Sequence, residues 1–151
     1  AIYAKSGKGI VHDASVRDID GIESIPGFVS FVRGFHPTYA SPTIMLIGFN
    51  CPVRIGKVTV MPGDVILGKH EGVVFVPPHL VEKVVKTSEL IRLRDRFGKQ
   101  RLREGAYTPG QIDARWTDEI EAEFSRWLER HMDELPVPRE AIQALLKERT
   151  W

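Results

Sequence analysis

Cysteine is nearly absent: Cys51 stands alone among 151 residues, which excludes an internal disulfide framework and any zinc site built on paired thiols. A reducing compartment, the cytoplasm, is the expected location. No apolar run reaches the ~18 residues that a membrane-spanning helix needs, so no membrane partner is expected. Net charge is also lacking. Twenty-one Lys and Arg against twenty Asp and Glu leave +1, without the broad positive field of a dedicated nucleic-acid binder, and nucleic acid is not an expected partner. A phosphate-binding glycine loop, a zinc-ligand spacing and a nucleophile elbow are missing as well. The five histidines (His12, His36, His70, His79, His131) form no i,i+4 pair. A lone histidine is more commonly a surface or core residue than a ligand, and His36, beside Pro37 and Thr38, is the least ordinary of them.

What is present suits one ordinary α/β domain with a real core: 42% of residues are hydrophobic and 27% charged. Ten of the thirteen glycines and seven of the ten prolines precede residue 79, together with most of the Val/Ile/Phe runs. The remainder is dense in Glu, Arg and Leu. Short apolar runs predict strands over 9–12, 28–32 and 43–49. Residues 54–60 alternate with period two and meet Met61-Pro62-Gly63-Asp64, whose Pro-Gly suits a type II turn with Asp64 as its stabilising carboxylate. A hairpin-like return through Val65-Ile66-Leu67 is expected, then a strand at Val73-Val74-Phe75-Val76.

Pro77-Pro78 suits a helix entry. Leu80, Val81, Val84, Val85 and Ile91 predict one apolar face for a helix continuing past Arg92, with Gly105 as a stop. Six cations lie between Arg92 and Glu104 (Arg92, Arg94, Arg96, Lys99, Arg101, Arg103). Asp113, Asp118, Glu119, Glu121 and Glu123 can offset them, which favours a solvated or intersubunit face over an RNA contact. Thr108-Pro109-Gly110 reads as a turn. Thr117 is expected to cap a helix whose stripe is Ile120, Phe124, Trp127 and Leu128, and a last short helix is expected from Arg139 to Arg149. Trp116 and Trp127 suit either the core or a subunit contact, and Cys51 is expected to be a small buried hydrophobe.

The informative stretch is Gly9-Ile10-Val11-His12-Asp13-Ala14-Ser15-Val16-Arg17-Asp18, a strand ending in a polar turn with adjacent opposite charges. By residue type alone, Asp18 caps the following helix and Arg17 makes a surface ion pair. The same residues, followed by F-V-S-F-V-R-G at 28–34 and P-G-D-V-I-L-G-K-H-E-G-V-V-F-V-P-P at 62–78, resemble the RraA-type family over about residues 9–90. That family includes divalent-metal aldolases acting on 4-hydroxy-4-methyl-2-oxoglutarate and proteins labelled regulators of ribonuclease activity.

The resemblance implies a swivelling β/β/α layered domain, an RraA-like core over residues 1–90 and a charged helical extension over 91–151. It implies Arg17 as the catalytic and substrate-binding group for a small 2-oxo acid, Asp18 as the metal-binding carboxylate, Mg²⁺, Mn²⁺ or another divalent cation as cofactor, and a homotrimer or hexamer. The implied reaction cleaves a 4-hydroxy-2-oxo acid to pyruvate, with oxaloacetate decarboxylation as a companion. The family also places a glycine-rich, carboxylate-binding segment upstream of the Arg-Asp pair, which implies that this chain is the C-terminal portion of a longer member. The Asp13-Ala14-Ser15 turn departs from the Asp-Gly usual in the family, and Lys69-His70-Glu71-Gly72 replaces its acidic turn. A Schiff-base route would need a desolvated lysine, and nothing marks Lys5, Lys8 or Lys57 as one. Quinone methylation lacks any glycine motif for an adenosyl cofactor. The alternative is a non-catalytic protein-binding regulator of ribonuclease activity.

Overall fold

The computed structural model describes residues 1–39 and 44–148, the side chains of 145 and 148 excepted. It is an α/β chain that divides into two compact units, one running from Ala1 to Val81 and one starting at Glu82, where composition alone suggested a single domain.

The first unit opens with α1 (Ile2–Ser6), which Gly7 ends in a left-handed conformation at φ 61° while donating its N–H to the Tyr3 carbonyl. Strand β1 (Ile10–Val16) pairs in parallel with β2 (Ser30–Phe35). Parallel neighbours require a crossover, supplied here by the segment carrying α2 (Ile19–Glu23). The register runs Ile10↔Ser30 to His12↔Val32, then resumes at Ser15↔Gly34, so β1 holds one extra residue around Asp13-Ala14. The sequence reading of a turn at Asp13-Ala14-Ser15 is thereby corrected: the segment is a bulge within a strand, a device that re-aims side chains. Gly9 is required by close approach, because a Cβ there would lie 1.7 Å from the Val29 carbonyl oxygen.

Two antiparallel hairpins follow. The period-two stretch at 54–60 is not one strand. It folds on itself as β3 (Val53–Ile55) and β4 (Val58–Val60) around Gly56-Lys57, with Gly56 at φ 59°, a two-residue loop of the kind that matches strand twist. Strand β5 (Val65–Lys69) pairs with β6 (Gly72–Val76), not with β4. The Pro62-Gly63 turn therefore joins two hairpins, and Asp64 does brace it, accepting the Met61 N–H at 2.8 Å. The strand expected over 43–49 is absent from its described part: residues 44–49 are exposed and irregular, while Thr43 lies outside the described residues. Cys51 is exposed rather than buried.

The second unit is helical and has its own core. A 3-10 turn at Pro78–Leu80 leads into α3 (Val81–Arg103), an unbroken helix through residues 90 and 91. Its buried positions are Leu93, Phe97 and Gly98, whereas the apolar face expected from Leu80, Val84, Val85 and Ile91 is 40–52% exposed. Gly105 follows at φ 69°. Residues 108–110 are not a plain turn. Thr108 and Gln111 form a capping box for α4 (Pro109–Asp113). Thr117 caps α5 (Asp118–His131), and Ile120, Phe124, Trp127 and Leu128 are buried along one stripe as the spacing predicts. Helix α6 spans Arg139–Glu148.

Packing in this unit is aromatic. The Phe97 ring lies 5.4 Å from those of Trp116 and Phe124, and Trp116 meets Phe124 edge-on at 5.5 Å. Both indole N–H groups are satisfied, Trp116 donating to the Ile112 carbonyl and Trp127 to Gln100 Oε1, each at 2.8 Å. Both tryptophans are therefore core. Arg94 sits 3.7 Å above the Trp116 ring and grips Glu121 through two bonds of 3.0 and 2.8 Å.

Candidate active site

Parallel α/β strands deliver functional side chains at their C-terminal ends, where loops leave the sheet. Here β1 ends at Val16 and β2 at Phe35, and the His36 N–H donates to the Val16 carbonyl at 2.9 Å, extending the pairing by one step. Arg17 and Asp18 leave the first strand, and the loop from His36 to Tyr39 leaves the second. Arg17, Asp18, His36 and Pro37 line an open cavity of about 280 Å³, with Val16, Ile19 and Phe35 as its apolar side.

Asp18 takes a left-handed conformation at φ 59°, a region that Asp tolerates better than most residues and that recurs at functional sites. It occupies the position before α2 yet makes no capping hydrogen bond, so the residue-type expectation of a cap is not met. Its carboxylate is instead 75% exposed, with Oδ2 3.3 Å from Arg17 Nε. The Arg17 guanidinium also lies over the Tyr39 ring, 5.3 Å from its centre, a cation–π contact that limits its freedom.

His36 Nδ1 accepts the Thr38 N–H at 3.1 Å. In the neutral ring this leaves the proton on Nε2 and makes the histidine a donor rather than an open metal ligand. Asp13, read from the sequence only as part of a turn, ties together the strands that carry the site. Asp13, in the β1 bulge, pairs with Arg33 of β2 and accepts the Gly56 N–H at 2.8 Å. The Arg33 guanidinium and the Gly56 amide hold its carboxyl below the usual carboxylate range. Three segments are tied at one side chain, three residues before the last residue of the strand, Val16. Arg33 was visible in F-V-R-G, but nothing local marked its partner.

Among the described residues no three His, Cys, Asp or Glu side chains cluster as a ligand cage. Mg²⁺ does not need one, since it keeps several waters and takes as few as one or two carboxylates. The exposed Asp18 carboxylate, whose Oδ1 has no partner among the described residues, fits a hard divalent cation of this kind and does not fit zinc.

Comparison with known proteins decides which family carries this arrangement. A family model described as Aldolase/RraA matches residues 1–75. Residues 1–75 belong to the RraA-like family. An uncharacterized protein of Methanocaldococcus jannaschii is 30% identical over 101 residues, 67% of this chain and 48% of that protein. A protein of Halalkalibacterium halodurans named "Putative 4-hydroxy-4-methyl-2-oxoglutarate aldolase" is 34% identical over 82 residues, 54% of this chain and 38% of its own length. The chain thus spans about half the length, or less, of these relatives. A crystal structure of an uncharacterized protein from Pseudomonas syringae pv. tomato is similar with a TM-score of 0.56 at 25% identity, covering 72% of this chain and 68% of that one. The RraA-like match contains the β1–β2 pair, Arg17, Asp18 and Asp13, and ends inside β6.

Proposed function

We propose that the RraA-like segment forms the reacting centre of a divalent-metal-dependent lyase that cleaves a 4-hydroxy-2-oxo acid, of the 4-hydroxy-4-methyl-2-oxoglutarate type, to pyruvate and a second carbonyl compound. The observation that carries the reading is the Arg17–Asp18 pair, side by side at the end of β1 on one cavity, with the Asp18 carboxylate left out of helix capping. The name of the Halalkalibacterium relative supports the substrate class.

The chemistry requires these residue types. Breaking the C3–C4 bond leaves its electron pair on the pyruvate fragment as an enolate, while the C4 hydroxyl loses its proton and becomes a carbonyl; protonation at C3 then completes pyruvate. Arg17 offers a planar fork that holds the 2-oxo acid carboxylate through two parallel hydrogen bonds and places a fixed positive charge beside the developing enolate. Tyr39 beneath the guanidinium keeps the fork oriented. Asp18 would hold Mg²⁺ or Mn²⁺, which supplies Lewis acidity toward the enolate oxygen. Oxaloacetate decarboxylation generates the same enolate and is the expected companion reaction. Assembly as a homotrimer or hexamer and a cytoplasmic location belong to the same proposal; among the described residues no helix is long and apolar enough to cross a membrane.

The test is pyruvate release from a 4-carboxy-4-hydroxy-2-oxo acid and from oxaloacetate, with Mg²⁺ and with EDTA. Metal-dependent release should fall by roughly 10²-fold or more in Arg17→Lys, which loses the bidentate grip. Asp18→Asn should lose both metal-dependent turnover and Mn²⁺ binding read by electron paramagnetic resonance. Turnover that survives EDTA, or Mn²⁺ binding unchanged in Asp18→Asn, would sink the assignment. A ribonuclease-binding regulator without chemistry would instead keep its full effect in Asp18→Ala.

A further inference from the structure

The six cations of α3 divide into two sets by face. At about 100° per residue, Arg94 and Arg101 point the same way, whereas Arg92, Arg96, Lys99 and Arg103 fall within roughly 60° of one another on about the opposite side. The first set is neutralised: Arg94 grips Glu121, and Arg101 pairs with Glu104 and, at 3.0 Å, with Glu123. The second set makes no ion pair among the described residues. Its members follow at i+4, i+3 and i+4, the spacings at which like charges repel along a helix.

These four cations are also not spread on a convex surface. They line a cavity of about 430 Å³, walled on its other side by Pro136 and Val137, a size that holds a small ligand. Two carboxylates share the lining: Glu89, three residues before Arg92, and Asp95, which precedes Arg96 and lies four residues before Lys99. Neither is ion-paired among the described residues. Beyond Asp95 the helix contributes to the lining Arg96, Lys99 and Arg103 and no further carboxylate, three cations set along about 10 Å of helix axis.

We infer that this groove is an anion site for a compact ligand carrying two or more linked phosphate groups. Two Arg forks and a lysine in line match successive oxyanions, each fork through paired N–H donors and the lysine as a point charge. A single phosphate engages one or two of these cations and leaves the repulsion at the rest. A single-stranded nucleic acid fits less well, because no lining side chain is aromatic and none offers a base a stacking surface. The site lies wholly in the second unit and does not depend on the reaction proposed for the first.

The probe is inorganic tripolyphosphate, titrated calorimetrically into the whole chain at 50 and 200 mM salt, beside orthophosphate and an oligouridylate. Tripolyphosphate is expected to bind at least tenfold more tightly than orthophosphate and to weaken as salt rises. Arg96→Ala with Lys99→Ala should raise its Kd tenfold or more, and Arg96→Gln with Lys99→Gln should do the same. Both positions are exposed on a helix, so unchanged circular dichroism is expected in either pair. Lys57→Ala with Lys69→Ala, which removes the same charge outside the groove, should leave Kd within twofold. No tripolyphosphate binding, equal loss in the Lys57/Lys69 pair, orthophosphate binding as tightly, or binding of the oligouridylate alone would each overturn the inference.

Discussion

The two units dispose of their apolar side chains in opposite ways. From Glu82 onward, ten hydrophobic residues among those described, including Phe97, Phe124, Trp127, Leu128 and Ile142, form one buried cluster. Up to Val81, Val60 is the buried hydrophobic residue among those described, while Phe35, Ile47, Phe49 and Leu67 are 55–92% exposed. The contrast is one of packing and not of composition, because the first unit holds most of the Val/Ile/Phe runs. Among the described residues its sheets are three, each of two strands, and a pair of strands presents two faces with little to cover either. Helices with a single apolar stripe cover one another. The Arg17–Asp18 pair is therefore carried by the thinly packed unit, two strands of which Asp13 ties together, while the well-packed unit holds the cationic groove.

The largest expected effect sharpens this contrast. Phe124 is fully buried between Phe97, Trp116 and Trp127, so Phe124→Ala should destabilise the second unit by about 3–5 kcal/mol through lost transfer energy and a residual cavity. Every tryptophan follows residue 82, so the loss is read as a lower denaturant midpoint of tryptophan fluorescence. A drop under about 1 kcal/mol would break the comparison, since the cluster would then not be a specific core. Next in size is Glu121→Gln. It leaves the Arg94 guanidinium over Trp116 without its half-buried counter-charge, and about 1–2 kcal/mol should be lost by the same readout. Thr117→Ala removes the cap that accepts the Ile120 N–H and should cost about 1 kcal/mol.

The same contrast explains what could be read from the residues in order. The start and the buried stripe of helix α5 were legible because their signals are local: Thr117 precedes two acids, and four apolar positions recur at helical spacing. Helix α6 was legible for like reason, its expected last residue, Arg149, lying outside the described residues. Strand pairing is not local. Pro62-Gly63 makes a real turn, but which strands pair around it depends on partners elsewhere, and β5 pairs forward with β6 instead of back with β4. The alternation at 54–60 concealed a two-residue loop at Gly56-Lys57. At the site, Arg17 and Asp18 were legible because the motif is contiguous. The Asp13 bulge and the Tyr39 ring under Arg17 were not, because each acts only through residues 20 or more positions away.

In the thinly packed unit the polar tie at Asp13 should titrate visibly. Its carboxyl is held below the ordinary 3.8 by Arg33 and the Gly56 amide, a depressed acid. Its contribution is therefore fully present above pH 3.8 and is lost as pH falls through the lower folded value. The Gly56 amide shift, followed by NMR in acid, should move with a midpoint below 3.8, and Asp13→Asn should abolish that transition. A midpoint at or above 3.8 would show that Asp13 does not fasten the β3–β4 hairpin to β1.

The smallest expected effect on stability belongs to Ile47, 92% exposed within the irregular apolar stretch Ile44–Phe49. A side chain already in water gives up no burial when replaced, so Ile47→Lys should change the midpoint of unfolding by less than about 0.5 kcal/mol. The same substitution should act strongly on association. An uncharged, β-prone run of six residues exposed to solvent has the composition of an aggregating segment, and one lysine in its middle opposes stacking of like chains. Light scattering at fixed concentration should therefore fall in Ile47→Lys while unfolding stays put. If Ile47→Lys instead costs as much as a core substitution, residues 44–49 are packed in solution, and the contrast between a sparsely and a densely packed unit fails where it was drawn most sharply.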